Sequence, residues 1–115
     1  MATQTGNPAG LSLFNPIPPD EMTFPPIEVW DNHNQQRDFV ISTSVPEFTS
    51  VCPMTGLPDY GTITVDYIPA AGCVELKAFK YYMMAYRNVG IFYENVVNRI
   101  LNDLVAACQP KYMRV

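Results

Sequence analysis

Cysteine is the side chain with the most chemistry to offer in this chain, and its three copies stand at Cys52, Cys73 and Cys108. No two of them form a C-x-x-C pair, and the one histidine, His33, lies among Asn32, Asn34 and Gln35 in a setting that reads as solvated. A closed zinc site needs four converging nitrogen or sulfur ligands, so no metal centre is expected within one chain. The same scarcity excludes a Ser-His-Asp or Cys-His arrangement in the body of the chain. Cys108 falls on an apolar helical stripe and reads as core, and Cys73 precedes a helix without an evident partner. Cys52 stands apart. It lies in Thr49-Ser50-Val51-Cys52-Pro53, with Asp59 seven residues on across a turn rich in proline and glycine. A loop cysteine can be exposed and have its pKa tuned by neighbours, and a turn that returns Asp59 offers a carboxyl group for proton transfer. The plainer alternative is a small residue filling a turn.

Further along, Glu75-Leu76-Lys77-Ala78-Phe79-Lys80-Tyr81-Tyr82 opens a helix. Lys77 and Lys80 lie three apart on neighbouring parts of one face, suited either to a phosphate group or to solvent. Glu94 lies in the first turn of a second helix. A carboxylate there can accept two hydrogen bonds from a purine's amide and amino edge, or merely complement the helix dipole. Met83 and Met84 read as core filler.

These groups need a scaffold. Arg37–Ser44 and Gly61–Ile68 alternate apolar and polar residues as half-buried strands do, and residues 45–60, with Pro46, Pro53, Gly56 and Pro58, read as a long loop between them. Helical spacing then takes over from Val74 to Asn88, with Leu76, Phe79, Met83 and Tyr86 on one stripe. After Asn88-Val89-Gly90 a longer helix carries Phe92, Val96, Ile100, Leu104 and Cys108, and Pro110 stops it. Tyr112–Val115 opens a further strand. The pattern is α+β.

Composition narrows the class. The chain has 115 residues, 11 prolines and a formal charge of −4. One domain is expected, with no apolar run approaching the roughly 20 residues of a membrane span. Met1–Gly10 lacks the features of a signal peptide, so a soluble, cytoplasmic protein is expected. No Lys/Arg cluster suits a nucleic-acid backbone, so no direct nucleic-acid binding is expected. Residues 1–74 carry −7 and residues 75–115 carry +3. Six prolines fall in residues 1–26, so residues 1–36 read as a proline-rich extension and 37–115 as the domain. Phe14, Phe24 and Trp30 give that extension the means to lie against a surface.

In order, Glu47-Phe48-Thr49-Ser50-Val51-Cys52-Pro53-Met54-Thr55-Gly56-Leu57-Pro58-Asp59, then Asp66-Tyr67-Ile68-Pro69, then Val74 through Tyr82 resemble the QueF-type nitrile reductases. These are the NADPH-dependent 7-cyano-7-deazaguanine reductases of queuosine biosynthesis, a tRNA-modification pathway. The E-[SL]-K-[SA]-x-K-[LY]-[YFW] helix motif is met at every position, downstream of a C-P-x-T-G-x-P-D loop. The resemblance covers 37–115 and implies the tunnelling fold (T-fold): an antiparallel sheet with two helices on one face, in homo-oligomeric rings with sites between subunits. It implies Cys52 as the thioimide nucleophile and Asp59 as the proton donor. Glu94, with Tyr93 beside it, and Val74, Glu75 and Leu76 would bind the small-molecule 7-deazapurine. Lys77 and Lys80 would meet NADPH.

The chain departs from the family's pattern twice. Most relatives have His-Glu where this chain reads Tyr93-Glu94. Relatives also continue past Val115 with two further strands, so the chain reads as a T-fold lacking its last two strands. Two other readings compete: a truncated or inactive purine-binding chain, and the amidine-forming relatives that use ammonia instead of NADPH. The complete lysine motif argues against the second of these.

Overall fold

Residues 16–115 are described by a computed structural model of the chain. Phe14, Asn15 and the leader reading of Met1–Gly10 lie outside the described residues. The ordered elements are β1 (Val29–Asp31), β2 (Ile41–Val51), β3 (Pro58–Ile68), β4 (Gly72–Val74), α1 (Leu76–Met84), α2 (Tyr93–Cys108) and β5 (Tyr112–Arg114). Short 3-10 turns span Pro19–Glu21 and Ala85–Asn88. The class is α+β, as expected.

β3 lies at the centre of a three-stranded antiparallel sheet in the order β2-β3-β5. Its alternation decides which face is covered: Ile63, Val65 and Tyr67 are buried, while Thr62 and Thr64 are exposed. On the open face the hydroxyls of Ser44 and Thr64 lie 3.2 Å apart. The covered face carries both helices, and α2 contributes Val96, Ile100, Leu104 and Cys108 to the core at the predicted spacing. Burying a large aliphatic side chain of this kind contributes roughly 1.5–3 kcal/mol. The αL conformation of Gln109 (φ 46°) then ends the helix just before Pro110.

The loop expected over 45–60 is much shorter, at residues 52–57, because β2 and β3 form a long hairpin. Two prolines that seemed to forbid strand are accommodated by position. Pro46 falls in a register shift between Val45 and Phe48, on an edge strand, and Pro58 is the first residue of β3. Neither place requires the missing N–H. The first strand accordingly begins at Ile41 instead of Arg37.

The helix expected over Val74–Asn88 also divides. Glu75 caps it, α1 proper ends at Met84, and a 3-10 turn completes the run. Leu76 does not join the core stripe and is 61% exposed; Met84 is 52% exposed, whereas Met83 is buried as expected.

The proline-rich segment lies against the body. β1 pairs with β4, placing Trp30 opposite Cys73, and Ile17 N–H donates to the Asn88 carbonyl at 2.7 Å. Phe24 packs on Tyr86 and Tyr82 with ring centroids 4.7 and 5.4 Å away. Trp30 stays 52% exposed, edge-on to the exposed His33. Cys73 is buried with Cys108. Among the described residues no helix is long and apolar enough to cross a membrane.

Candidate active site

The loop that carries Cys52 hangs from a rigid point. Val51, the last residue of β2, is fully buried and bonded on both sides of its peptide: its N–H donates to Val89 O at 2.9 Å, and Ile91 N–H donates to its carbonyl at 3.0 Å. The six residues after it close on themselves. Cys52 N–H donates to Leu57 O at 2.9 Å, and Gly56 N–H donates back to Cys52 O at 2.8 Å. That closure needs φ of +70° at Gly56, a conformation glycine reaches at no steric cost.

Within this turn Cys52 is a half-buried free thiol. Burial alone pushes its pKa up, and the Asp59 carboxylate opposes ionisation as well. Hydrogen bonds from the Thr55 hydroxyl and from the backbone N–H groups of Thr55 and Met54 outweigh both, so the thiol lies below its ordinary range. Cys73 and Cys108 move the opposite way, pushed up by burial. Cys52 alone of the three combines partial exposure with a lowered thiol pKa.

Asp59 enters on the facing strand. It is the second residue of β3, paired with Ser50, and its carbonyl accepts from Thr49 Oγ1 at 2.9 Å. The first turn of α2 completes the group: Tyr93 donates from its hydroxyl to Tyr60 O at 3.0 Å, and its ring edge lies over Gly61. Glu94 follows, exposed, its backbone carbonyl accepting from Asn98 Nδ2 at 2.8 Å. Its carboxylate makes no hydrogen bond to another described residue. The structure thus brings Cys52, Asp59, Tyr93 and Glu94 to one end of the sheet.

The other expected residues gather elsewhere. Val74 is buried in the core, and its N–H is bound by Tyr67 Oη at 3.0 Å. The Glu75 carboxylate accepts from the N–H groups of Lys77 and Ala78, each at 2.9 Å, which holds its pKa below the ordinary glutamate value. Leu76 shares a wall with Thr43, near the start of β2, whereas Cys52 follows the other end of that strand. At about 3.3 Å per strand residue, Thr43 lies up to about 30 Å along the chain from Cys52. One chain does not bring them together.

Lys80 lines a cleft of about 590 Å³ between β2 and α1, with Glu47, Thr49, Met84 and Arg87 also on its walls. Arg99, Lys111 and Arg114 are paired with Asp20, Asp38 and Asp66. Lys80 and Arg87 have no carboxylate partner among the described residues, whereas Lys77 stands near the Glu75 carboxylate. Two cations on the wall of this cleft are a donor set that fits phosphate groups.

Three contributors escaped sequence reasoning: Thr55, Ser50 and Arg87. Thr55 stands inside the quoted loop, but its hold on the sulfur depends on how the turn closes. Ser50 would have been visible as a polar residue on the strand face that turns inward. Arg87 lies in the 3-10 turn after α1, and only the folded cleft puts it beside Lys80.

Comparison with known proteins is specific. The QueF-like protein family model matches residues 58–115, from the start of β3 onward. The NADPH-dependent 7-cyano-7-deazaguanine reductase of Chlorobaculum tepidum is 63% identical over 89 residues, covering 77% of this chain and 76% of its own. The reductase of the same name from Chlorobaculum parvum is 61% identical, covering 77% of each chain. That from Elusimicrobium minutum is 58% identical over 87 residues, covering 76% of this chain and 65% of its own.

Proposed function

The chain belongs to the QueF-like protein family, and from that membership we propose that it is an NADPH-dependent 7-cyano-7-deazaguanine reductase acting in queuosine biosynthesis. The observation that carries the chemistry is the Cys52 thiol, lowered in pKa by Thr55 and Met54 with Asp59 on the adjoining strand.

In this reading the Cys52 sulfur attacks the nitrile carbon. A C–S bond forms as one C≡N π bond breaks, and the displaced electron pair goes to nitrogen. Asp59 takes up the thiol proton and delivers it to that nitrogen, leaving a neutral thioimide. Covalent attachment turns a poor electrophile into a C=N group ready for reduction, and NADPH supplies the two hydrides that take the carbon to the aminomethyl level. Cys52 leaves as thiolate between the two reductions, and is regenerated. Glu94, unpaired at the start of α2, accepts from the ring N–H and the exocyclic amino group of the deazaguanine, with Tyr93 packing beside it. Lys77 and Lys80 hold the phosphates of the dinucleotide.

Val74, Glu75 and Leu76 belong to the base pocket in this reading. Their distance from Cys52 in one chain requires a second copy to supply them, hence a homo-oligomer of the tunnelling-fold type with sites between subunits. Three free cysteines suit a reducing, cytoplasmic compartment.

The test is NADPH oxidation followed by ultraviolet absorbance of the reduced nicotinamide, with 7-cyano-7-deazaguanine as substrate. The wild-type chain is expected to consume NADPH only when the nitrile is present, and Cys52→Ala to lose that activity. Nitrile-dependent turnover that persists in Cys52→Ala overturns the reading.

A further inference from the structure

Ser50 is 1% exposed, and its hydroxyl has no hydrogen-bond partner. A buried polar group left without a partner is destabilising, and alanine at the same place would avoid that cost. Its position suggests what the hydroxyl is kept for. Ser50 stands directly opposite Asp59 in the β2–β3 ladder and two residues before Cys52. Residues directly opposite in an antiparallel pair project to the same face, with Cβ atoms about 4.5–5.5 Å apart. A serine hydroxyl and an aspartate carboxylate span that gap by side-chain rotation alone, with no backbone movement. The backbone is also fixed on both sides: Val51 is bonded to Val89 and Ile91, and Thr49 Oγ1 holds the Asp59 carbonyl at 2.9 Å.

We infer that Ser50 is the positioning residue for Asp59, donating its hydroxyl hydrogen to the carboxylate and aiming it at the nitrile nitrogen when substrate fills the site. The hydroxyl has no competing partner to leave, so it turns to Asp59 without breaking a bond. Its burial excludes water from the same place. This inference rests on the reductase reading and adds to it a group that acts only through Asp59.

The test combines Ser50→Ala with Asp59→Asn. Thioimide formation without NADPH and steady-state NADPH oxidation are each measured across pH, alongside thermal melting. Ser50→Ala is expected to slow adduct formation by roughly tenfold to a hundredfold, the scale of a misaimed catalytic group. It should keep or raise the melting temperature. In the Asp59→Asn background the same change should cost less than about twofold, since the group it aims is already disabled. An unchanged rate, a lowered melting temperature, or an equal loss in both backgrounds overturns the role of Ser50 and leaves the reductase reading intact. A wild-type chain that forms no adduct and consumes no NADPH overturns both.

Discussion

The Tyr93 hydroxyl donates to the carbonyl of Tyr60 at 3.0 Å, joining the first turn of α2 to the residue after Asp59 across 33 positions of sequence. The phenol thereby braces β3 against the start of α2 and holds the two elements in register.

Tyr93→Phe keeps the ring over Gly61 and removes only that brace. An exposed hydrogen bond of this kind contributes about 0.5–1.5 kcal/mol, so the fold should survive with a small loss in urea denaturation. The nitrile-dependent kcat/KM should fall severalfold, because Glu94 loses its fixed relation to Asp59. Equal kinetics in the two proteins would show that the brace has no bearing on the site.

Thr55→Val tests the thiol cradle. The Thr55 hydroxyl is the leading favourable influence on the Cys52 thiolate, working against burial. Removing it raises the thiol pKa, so the rate of Cys52 alkylation by iodoacetamide, which follows the thiolate fraction, should need a higher pH to reach its plateau. Cys73 and Cys108, buried and pushed up, should react slowly in both proteins. Mass-spectrometric labelling at each cysteine as a function of pH reads all three.

A stability prediction attaches to the buried phenols. Tyr82 donates to Asp103 Oδ2 at 2.5 Å, and its hydroxyl lies 2.7 Å from that of Tyr86. Desolvation drives both phenols' pKa values up, that of Tyr86 to about 12. Tyr82→Phe removes the hydrogen bonds to Tyr86 and Asp103 and leaves both groups to Arg99 alone, so unfolding free energy should drop by about 1–2 kcal/mol. Chemical denaturation monitored by tryptophan fluorescence measures it, with nitrile-dependent kcat little changed.

The Glu75 cap carries a pH signature. Its folded pKa is depressed by the N–H groups of Lys77 and Ala78. It therefore contributes stability above the ordinary glutamate value, about 4.3, and that contribution is lost as pH falls through the lowered folded value. Glu75→Ala should melt several degrees lower than wild type at pH 7, with the gap closing as pH falls below about 4. Paired thermal melts from pH 7 down to pH 3 test this, and a gap that stays constant would refute the cap.

Much of the site was legible one segment at a time. The alternation of Gly61–Ile68 and the stripe of Val96, Ile100, Leu104 and Cys108 depend on periods that each stretch carries within itself, so both emerge intact in β3 and α2. The loop holding Cys52 and the helix holding Lys77 and Lys80 were visible for the same reason, but residue type and spacing left each open to a plainer reading as turn filler or solvated face, and the family motif alone chose between them.

What needed the folded chain was every decision that depends on who stands opposite. Val29–Asp31 became a strand because Gly72–Val74 offered it an edge, although its own residues sit in a proline-rich stretch. Pro46 was admitted into β2 because it fell where no partner required its N–H, a condition proline's identity does not reveal. The sequence by itself determined the family motif and with it the candidate groups: Cys52, Asp59, Glu94 and the lysine helix. The tertiary structure decided that Ser50 faces Asp59 and that Thr55 holds the thiol. It also decided that Glu75 and Leu76 lie at the far end of the sheet from Cys52. The physical reason is that side-chain chemistry is local, whereas pairing, burial and distance are set by long-range contacts that no single segment encodes.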